Sequence, residues 1–211
     1  VPFEKAAEIG TDKVISEHST IGVVVTTDGS ITDIPRENYE QAEQLTVEKL
    51  KALNKPFVIV LNTKTPQDEN TLALRASLEE KYGVSVVCLD VLTCNEDGFA
   101  AVFEKVLSEF PVRSADIKLP DWLCALPIEN RAISEIISAV KEASSAMVKM
   151  KDCHKLEESL ASVDKIIPAG IKADAGEGKV TVTVNTDKSL FYDVISETCG
   201  ETIDGEYKLM S

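Results

Sequence analysis

Three short apolar runs in the first half of the sequence constrain the fold more than any other feature. They span Ile21 to Thr27, Pro56 to Asn62 and Ser85 to Asp90, and stretches with helical spacing of apolar residues separate them. Runs of this kind, in alternation with helices, are typical of parallel strands that crossover helices bury on both faces. Because such crossovers are right-handed, we predict an α/β fold in which the three strands lie side by side in sequence order.

Polar residues follow each predicted strand, and parallel sheets bind their ligands at these carboxyl ends. The residues there are Thr26, Thr27, Asp28 and Gly29 after the first strand, Asn62, Thr63 and Lys64 after the second, and Asp90 after the third. This pattern is typical of part of a nucleotide-binding sheet. A phosphate-binding loop of the form G-x-x-x-x-G-K-[ST] does not occur in the 211 residues.

The segment Asn62-Thr63-Lys64-Thr65 occupies the place at which GTPases carry Asn-Lys-x-Asp. The Asp of that motif accepts two hydrogens of guanine, and the hydroxyl of Thr65 cannot reproduce this charge-assisted, bidentate contact. If a nucleotide binds at this wall of the sheet, we expect weak selection for guanine, and adenine becomes plausible. The alternative is a polar loop in which Asn62 satisfies backbone groups.

Thr27 and Asp28 stand at the end of the first strand, where a γ-phosphate or Mg²⁺ could approach. A carboxylate there could hold the metal directly or through water. The alternative, which the sequence favours, is a turn in which Asp28 accepts from backbone amides and Gly29 adopts a positive φ.

The charge balance and the cysteines limit the partners and the compartment. Lys and Arg total 22 against 36 Asp and Glu, so the formal net charge is −14, which repels nucleic acid and anionic lipid. The five cysteines are scattered and odd in number, so we expect reduced core residues, typical of the cytosol, and no disulfide framework. No apolar stretch approaches the roughly 20 residues that span a bilayer.

Other candidates for chemistry are few. His18 and His154 have no second ligand at metal spacing, so we expect no zinc site. No combination of Ser, His and Asp suggests nucleophilic catalysis. The acidic run from Glu37 to Glu43 is expected to be the solvated face of a helix.

Helical patterns fill the rest of the first half. We expect a helix from Phe3 to His18 that is interrupted near Gly10, a helix that Asn70 or Thr71 caps and Gly83 ends, and a helix that runs through Phe99 to Phe110. Between the first two strands, the apolar face of a long acidic helix is predicted to consist of Tyr39, Ala42, Leu45, Leu50 and Leu53.

A change in composition begins at Pro111. Three prolines and the only tryptophan between Phe110 and Pro127 suggest a connector, so we place a boundary near Val112 and expect domains of residues 1–112 and 113–211. The second is predicted to be a smaller α+β domain. Its expected elements are a long helix from Glu129 to Met150, further helix from 152 to 163, a hairpin whose turn is AGEG, and a helix from Lys188 to Cys199 that Gly200 ends.

These residues together resemble a known family, stage IV sporulation protein A, the coat-morphogenetic ATPases of spore-forming bacteria. The resemblance rests on the stretches KAAEIGTDKVISEHSTIGVVVTTDGSITDIPRENY, LKALNKPFVIVLNTKTP, LRASLEEKYGVSVVCLDV and VLSEFPV. It is specific over residues 1 to 113 and looser from LPDWL through AGEGKVTVTV, which is similar to the middle domain of that family. Because the chain begins at Val1 without an initiator Met, we expect an internal piece of a longer protein.

The resemblance implies a TRAFAC-type P-loop fold, of which this chain is the C-terminal half, and ATP hydrolysis that drives self-assembly. It implies ATP and Mg²⁺ as cofactors of the whole protein, with the phosphate loop, sensor threonines and metal-binding Asp upstream of Val1. What carries over by place in the fold is a base-side wall of Asn62, Thr63 and Lys64, with Thr27 and Asp28 as less specific candidates. We therefore expect this chain alone to be catalytically inert and to bind no cofactor tightly.

The resemblance also implies partners and a location. Family members polymerise with their own copies into a layer on the outer surface of the forespore, inside the mother cell, and spore coat morphogenetic proteins assemble on that layer. Attachment to the forespore membrane runs through other segments and a small amphipathic peptide. We therefore expect a cytoplasmic chain of the mother cell that binds no nucleic acid.

Two other interpretations stay open. The chain could be a non-enzymatic scaffold that binds coat proteins through the apolar face of the Glu129 to Met150 helix and the Trp122-Leu123 connector. It could also be a complete receiver-like or flavodoxin-like domain, although the helical start argues against that. In the ATPase interpretation the sheet has an exposed edge and face, so we expect the isolated chain to oligomerise or aggregate.

Overall fold

The structure, a computed structural model, describes Lys5, Ile9, Gly10 and residues 12–209. The chain divides into two compact units, Val1–Phe110 and Pro111–Ser211. Much of the predicted N-terminal helix, including Phe3, lies outside the described residues. The described part of that segment ends in a π-helical turn, Val14–His18.

The first unit is built on a parallel sheet with the strand order β1-β2-β3, which confirms the predicted order. Its elements are β1 (Gly22–Thr27), α1 (Glu37–Ala52), β2 (Phe57–Asn62), α2 (Glu69–Tyr82), β3 (Val86–Leu89) and α3 (Glu96–Ser108). The register places Val24 beside Ile59 and Ile59 beside Val86. Parallel pairing is possible because α1 and α2 each return the chain to the start of the next strand.

Helices pack against both faces of this sheet. On one face, α1 and α2 close a core that consists of Val24, Val47, Leu50, Phe57, Ile59, Leu61, Leu78, Tyr82, Val84 and Val86. On the other face, α3 closes a smaller core of Val58, Val60, Val102 and Val106. The central strand β2 is apolar from Phe57 to Leu61 because it meets helices on both sides.

The edge strand β1 keeps an exposed apolar face on the side of the sheet that α3 covers. The exposed fractions of Val23 and Val25 there are 46% and 62%. On α3 itself, Phe99 and Phe103 are 55% and 58% exposed. We call these four residues the β1–α3 strip. The exposed face that the sequence predicts is therefore present, and no strand among the described residues pairs with the outer edge of β1.

The predicted face of the acidic helix is wrong in part. The buried residues of α1 are Glu43, Val47 and Leu50, whereas Leu45 and Leu53 of the predicted face are exposed. The spacing of four and then three residues turns Glu43 inward, so the expectation of a fully solvated acidic run is also wrong at this position. Glu43 is only 4% exposed, and its buried carboxylate has a cationic partner described below.

The structure corrects the predicted start of α2 and confirms its predicted end. Asp68 is the N-cap, and its side chain accepts a hydrogen bond from the Asn70 N–H, so the predicted caps Asn70 and Thr71 lie inside the helix. Carboxylates at this position satisfy a backbone donor that the helix leaves free. Gly83 ends the helix as predicted, with a φ of 64° that favours glycine.

The second unit is an α+β arrangement in which one mixed sheet has the order β4-β6-β5. Its elements are β4 (Ser114–Lys118), α4 (Asp121–Cys124), α5 (Arg131–Ala146), a 3₁₀ turn (Met150–Asp152), α6 (His154–Ala161), β5 (Ile166–Asp174), β6 (Lys179–Thr186), α7 (Lys188–Cys199) and α8 (Glu206–Leu209). Strands β5 and β6 form the predicted antiparallel hairpin. Gly200 follows α7 with a φ of 75°, as expected.

The predicted connector contains regular structure, which corrects the sequence interpretation. Its residues Ser114–Lys118 form β4, which pairs in parallel with β6. The alternation of Ala115 and Ile117 with polar residues is too short to identify a strand, and only the distant partner strand makes it one.

The helix α5 ends at Ala146, and Met147 is extended, so the long helix is shorter than predicted. The cause is a tertiary contact. The Val112 N–H donates to the Val148 carbonyl at 3.0 Å, and Pro111 and Lys149 form an isolated antiparallel bridge. These contacts pull residues 148–149 out of the helical path and alongside the start of β4.

The apolar surfaces of the scaffold interpretation are part of the core of the second unit. Leu123 is fully buried, and Ile133 and Ile136 of α5 are buried as well. Trp122 packs edge to face on Phe191 of α7, with 5.3 Å between the ring centroids. These side chains therefore stabilise the unit, and their use as a partner surface stays a prediction.

The cysteines correct a further expectation. All five are free thiols, but none is a buried core residue, and Cys124 and Cys199 are exposed. Burial raises the pKa of the half-buried Cys88 and Cys153 thiols. Among the described residues, no helix combines the length and the apolar character that crossing a membrane requires.

The β1–α3 strip predicts self-association of the isolated chain, because exposed apolar side chains gain free energy when they leave water. Replacing Val25 with Asp should reduce the associated fraction, as light scattering at increasing protein concentration would show. Leu45→Asp is the matched control, since Leu45 is 53% exposed on α1 and lies outside the strip. A wild-type chain that stays monomeric at high concentration would contradict the prediction.

Candidate functional site

The first loop at the carboxyl edge of the parallel sheet is a tight turn after β1. The Asp28 carboxylate oxygen Oδ1 accepts from the Ser30 N–H at 2.9 Å and from the Ser30 hydroxyl at 2.6 Å. Gly29 has a φ of 91°, and a Cβ there would lie 3.3 Å from the Arg36 backbone nitrogen. Glycine is therefore the residue that this turn requires.

The turn after β1 is bonded to the loop after β2. The Thr63 hydroxyl donates to the second Asp28 oxygen, Oδ2, at 2.6 Å. The Ser30 hydroxyl oxygen accepts from the Lys64 N–H at 3.1 Å. Thr63 is completely buried, so its hydroxyl is committed to the Asp28 carboxylate.

The loop after β2 is bonded in turn to the loop after β3. The Asn62 side-chain oxygen accepts from the Val91 N–H at 3.1 Å. Asp90 shapes its own loop by accepting from the Leu92 N–H at 3.0 Å. Side-chain hydrogen bonds thus join all three loops at this edge, and we call the set Asp28, Ser30, Asn62 and Thr63 the loop network.

A buried ion pair lies beneath the loop network. The Arg36 atom Nη2 donates to Glu43 Oε1 at 3.0 Å, and Nη1 donates to the Thr27 carbonyl at 3.0 Å. Glu43 also accepts from the hydroxyls of Thr26 and Tyr82, at 2.6 and 2.9 Å. The Glu43 side chain is 1% exposed and that of Arg36 is 13% exposed. The pair therefore holds the segment that leaves β1 against α1 and α2.

The sequence contains only a faint signal for this pair. Glu43 occupies a helix position that is spaced four and seven residues from the buried Val47 and Leu50. A carboxylate at an apolar position usually needs a partner, and Arg36 precedes it by seven residues, two helical turns. The contributions of Thr26 and Tyr82 depend on tertiary packing.

The carboxylates of the loop network and of the buried ion pair are held in their charged forms. Burial by itself raises the pKa of Asp28, but the hydrogen bonds from Ser30 and Thr63 outweigh it, and the pKa lies below its usual value. For Glu43, too, burial acts to raise the pKa, and Arg36, Thr26 and Tyr82 together lower it. Hydrogen bonds to the ionised form have this effect.

The structure shows how each candidate ligand of a nucleotide is engaged. Both oxygens of Asp28 accept hydrogen bonds, and the Thr27 hydroxyl accepts from the Gly29 N–H at 3.1 Å. This is the turn that the sequence favours, and Asp28 has little capacity left for Mg²⁺. A metal role for Thr27 and Asp28 stays a prediction.

In the loop after β2, where the sequence predicts a base-side wall, the side chains that face water are those after Thr63. Lys64 and Thr65 are exposed, and Thr65 is fixed by its N–H, which donates to the Thr63 hydroxyl oxygen at 3.2 Å. Asn62 and Thr63 use their side chains to join loops. A base that binds here would therefore meet Lys64 and Thr65 first.

The histidines do not belong to this edge. His18 lies in the π-helical turn, and His154 begins α6 with its Nδ1 atom 2.8 Å from the Lys151 carbonyl oxygen. In the part of the chain that the structure describes, no group of three His, Cys, Asp or Glu side chains is placed to hold a metal ion.

Comparison with known proteins decides the family. A family model described as "Stage IV sporulation protein A, ATPase domain" matches residues 1–111, and one described as the middle domain of the same protein matches residues 112–211. This chain belongs to the stage IV sporulation protein A family. The loop network and the buried ion pair lie within the ATPase-domain match of that family, and β4 to α8 lie within the middle-domain match.

Individual relatives agree with this assignment. The stage IV sporulation protein A of Clostridioides difficile (strain 630) is 40% identical over 99% of this chain, and that of Bacillus subtilis (strain 168) is 36% identical over all of it. The protein from Bacillus anthracis is also 36% identical over the whole chain. In each case the chain spans 43% of the length of the relative. No solved structure is significantly similar.

The ion pair predicts a large effect for Glu43→Gln, because the change leaves the buried Arg36 charge without its partner. We expect the free energy of unfolding to fall by roughly 3 kcal/mol at pH 7 in urea titrations. Glu40→Gln, an exposed change on the same helix, is the control and should cost less than about 0.5 kcal/mol. Equal losses in the two variants would contradict a special role for Glu43.

The same variant predicts a change in pH dependence. Because the folded pKa of Glu43 lies below its ordinary 4.5, its contribution to stability is complete above pH 4.5 and is lost as the pH falls through the folded value. The stability of the wild-type chain should therefore fall more steeply below pH 4.5 than that of Glu43→Gln. Parallel curves for the two proteins would show that Glu43 titrates normally.

Proposed function

We propose that this chain is the base-side half of an ATP-binding domain, joined to a middle domain, in a protein that hydrolyses ATP to drive its own assembly into the basement layer of the spore coat. The loop network carries the proposal, because it joins three loops at the carboxyl edge of a parallel sheet within the ATPase-domain match. Open α/β sheets bind nucleotides at such an edge.

The proposal assigns the first unit to the P-loop class of TRAFAC type. Phosphoryl transfer depends on a phosphate-binding loop and Mg²⁺ to stabilise developing charge, and the 211 residues contain no G-x-x-x-x-G-K-[ST] segment. We assign the phosphate and Mg²⁺ ligands to the remainder of the full-length protein. This chain by itself then contributes the base-side wall and has no turnover of its own.

The base-side wall supports ATP as the nucleotide. Thr65 is exposed where a guanine-selective site needs a carboxylate, and its neighbour Thr63 is occupied by Asp28. Lys64 is the exposed cation at the wall, and its aliphatic stem can cover one face of a purine. Such contacts hold a base without selecting guanine.

We also propose the partners of the full-length protein and its location in the cell. The full-length protein is proposed to polymerise with its own copies on the outer surface of the forespore, in the cytoplasm of the mother cell. Spore coat morphogenetic proteins then assemble on this layer, and a small amphipathic peptide connects it to the forespore membrane. The net charge of −14 supports the absence of nucleic acid from this list of partners.

ATP turnover and sedimentation of the full-length protein test the proposal, with and without a Lys→Ala change in its phosphate-binding loop. We expect the change to abolish turnover and ATP-dependent large assemblies together, while the 211-residue chain shows neither activity. Equal assembly of the full-length protein with and without nucleotide would instead support the scaffold interpretation.

The base-side wall predicts that Thr65→Asp shifts nucleotide preference in the full-length protein. A carboxylate at this position can accept two hydrogens from guanine, so the ratio of kcat/KM for GTP to that for ATP should rise by about tenfold. Gln67→Asp is the matched control, because it adds the same charge at an exposed position of the same loop. An unchanged ratio in Thr65→Asp would place the base elsewhere.

A further inference from the structure

Among the described residues, some backbone groups of the edge strand β4 of the second unit have no hydrogen-bond partner. The Ser114 N–H donates to the Gly178 carbonyl at 3.2 Å, on the β6 side. In a parallel ladder, alternate residues direct both backbone groups to the same side, so Ala115 and Ile117 direct theirs away from β6. Within the described chain, no backbone hydrogen bond reaches these outward groups of Ala115 and Ile117.

The two edges of this sheet differ in their protection. The opposite edge, β5, contains Pro168 and a bulge between Pro168 and Gly170, and both features discourage the addition of another strand. Strand β4 contains neither a proline nor a bulge between Ser114 and Lys118. Val148 lies alongside residue 112, so the part of the edge that no described residue covers begins at Ala115.

The charges on β4 are arranged so that an antiparallel second copy of the strand would place opposite charges next to each other. Asp116 and Lys118 are exposed on the face of the sheet that the helices leave open, with Ile117 between them on the helix side. If two copies of β4 pair antiparallel with Ile117 on the two-fold axis, Asp116 of each copy lies opposite Lys118 of the other. Both are non-hydrogen-bonded pairs, in which cross-strand side chains are closest.

We propose that β4 pairs antiparallel with β4 of a second copy of this chain, so that two three-stranded sheets become one sheet of six strands. The ladder is short, because β4 consists of only five residues, Ser114–Lys118. An interface of this size is weak by itself. It suits a layer, in which many weak contacts act together.

The same charges have a competing explanation. Charged side chains on an edge strand protect it from unwanted pairing, and Asp116 already forms an ion pair with Lys179 of β6 at 2.7 Å. In that case, reversing a charge changes solubility but creates no selective pairing between variants. The two explanations therefore predict different results when variants are mixed.

Charge reversal tests the pairing by sedimentation velocity, without nucleotide, in the 211-residue chain that carries Val25→Asp, because this change suppresses association through the β1–α3 strip. Asp116→Lys and Lys118→Asp each place like charges opposite one another, so each should self-associate at least about tenfold more weakly than this parent chain. The double variant restores both opposite pairs and should recover the association of the parent chain. Lys172→Asp, an exposed reversal on β5, should have no effect.

The decisive sample is an equimolar mixture of Asp116→Lys and Lys118→Asp. Each heterodimer places two lysines opposite two aspartates, so the mixture should associate although neither variant does so alone, and added salt should weaken it. Thermal unfolding of each variant checks that the fold is retained. A mixture that stays monomeric, or single variants that associate like the Val25→Asp parent chain, would overturn the pairing. Because no nucleotide is present, this outcome does not affect the proposed ATPase function.

Discussion

Arg36 and Glu43 form an ion pair with little access to water, and the geometry of the carboxyl edge depends on it. One end of the guanidinium group holds the Thr27 carbonyl, at the point where β1 ends, and the other end holds Glu43 in the middle of α1. Tyr82 connects the same carboxylate to α2. A buried charge is costly without its partner, so the pair disfavours any arrangement in which these elements separate.

The loop network extends this constraint to the surface. Asp28 connects the first loop to the second through Thr63, and Asn62 connects the second loop to the third. Each of these side chains satisfies a group of another loop, so the edge is a single bonded surface on a rigid parallel sheet. Binding sites gain from such preorganisation, because less freedom is lost when a ligand arrives. Lys64 and Thr65 are among the side chains that this surface presents to water.

The edge strands of the two sheets expose different chemical groups. In the first unit, β1 exposes valines, whose burial by further protein is favourable whatever the partner's charge. In the second unit, β4 exposes alternating charges and free backbone groups, which allow pairing only in a particular register. An edge strand with exposed apolar side chains suits a permanent contact within a domain. An edge strand with exposed charges suits a reversible contact between copies.

Much of the fold follows from local pattern. The apolar runs specify β1 to β3 because strands that are buried on both faces need continuous apolar residues, and Gly83 and Gly200 end helices because few other residues adopt positive φ. Strand β4 does not follow from its residues, since five alternating positions acquire their structure only from β6. The early end of α5 likewise results from pairing of residues 148–149 with residues 111–112.

The candidate site divides in the same way. The sequence by itself determined that polar residues follow each strand and therefore meet at one edge, because parallel strands all end on the same side. It also determined the turn at Asp28 and Gly29, whose side-chain chemistry is local. Only the tertiary structure decided that Thr63 serves Asp28 and that Glu43 is buried against Arg36 and Tyr82. Those contacts join residues that are 7 to 39 positions apart, and sequence spacing alone does not encode which distant side chains meet.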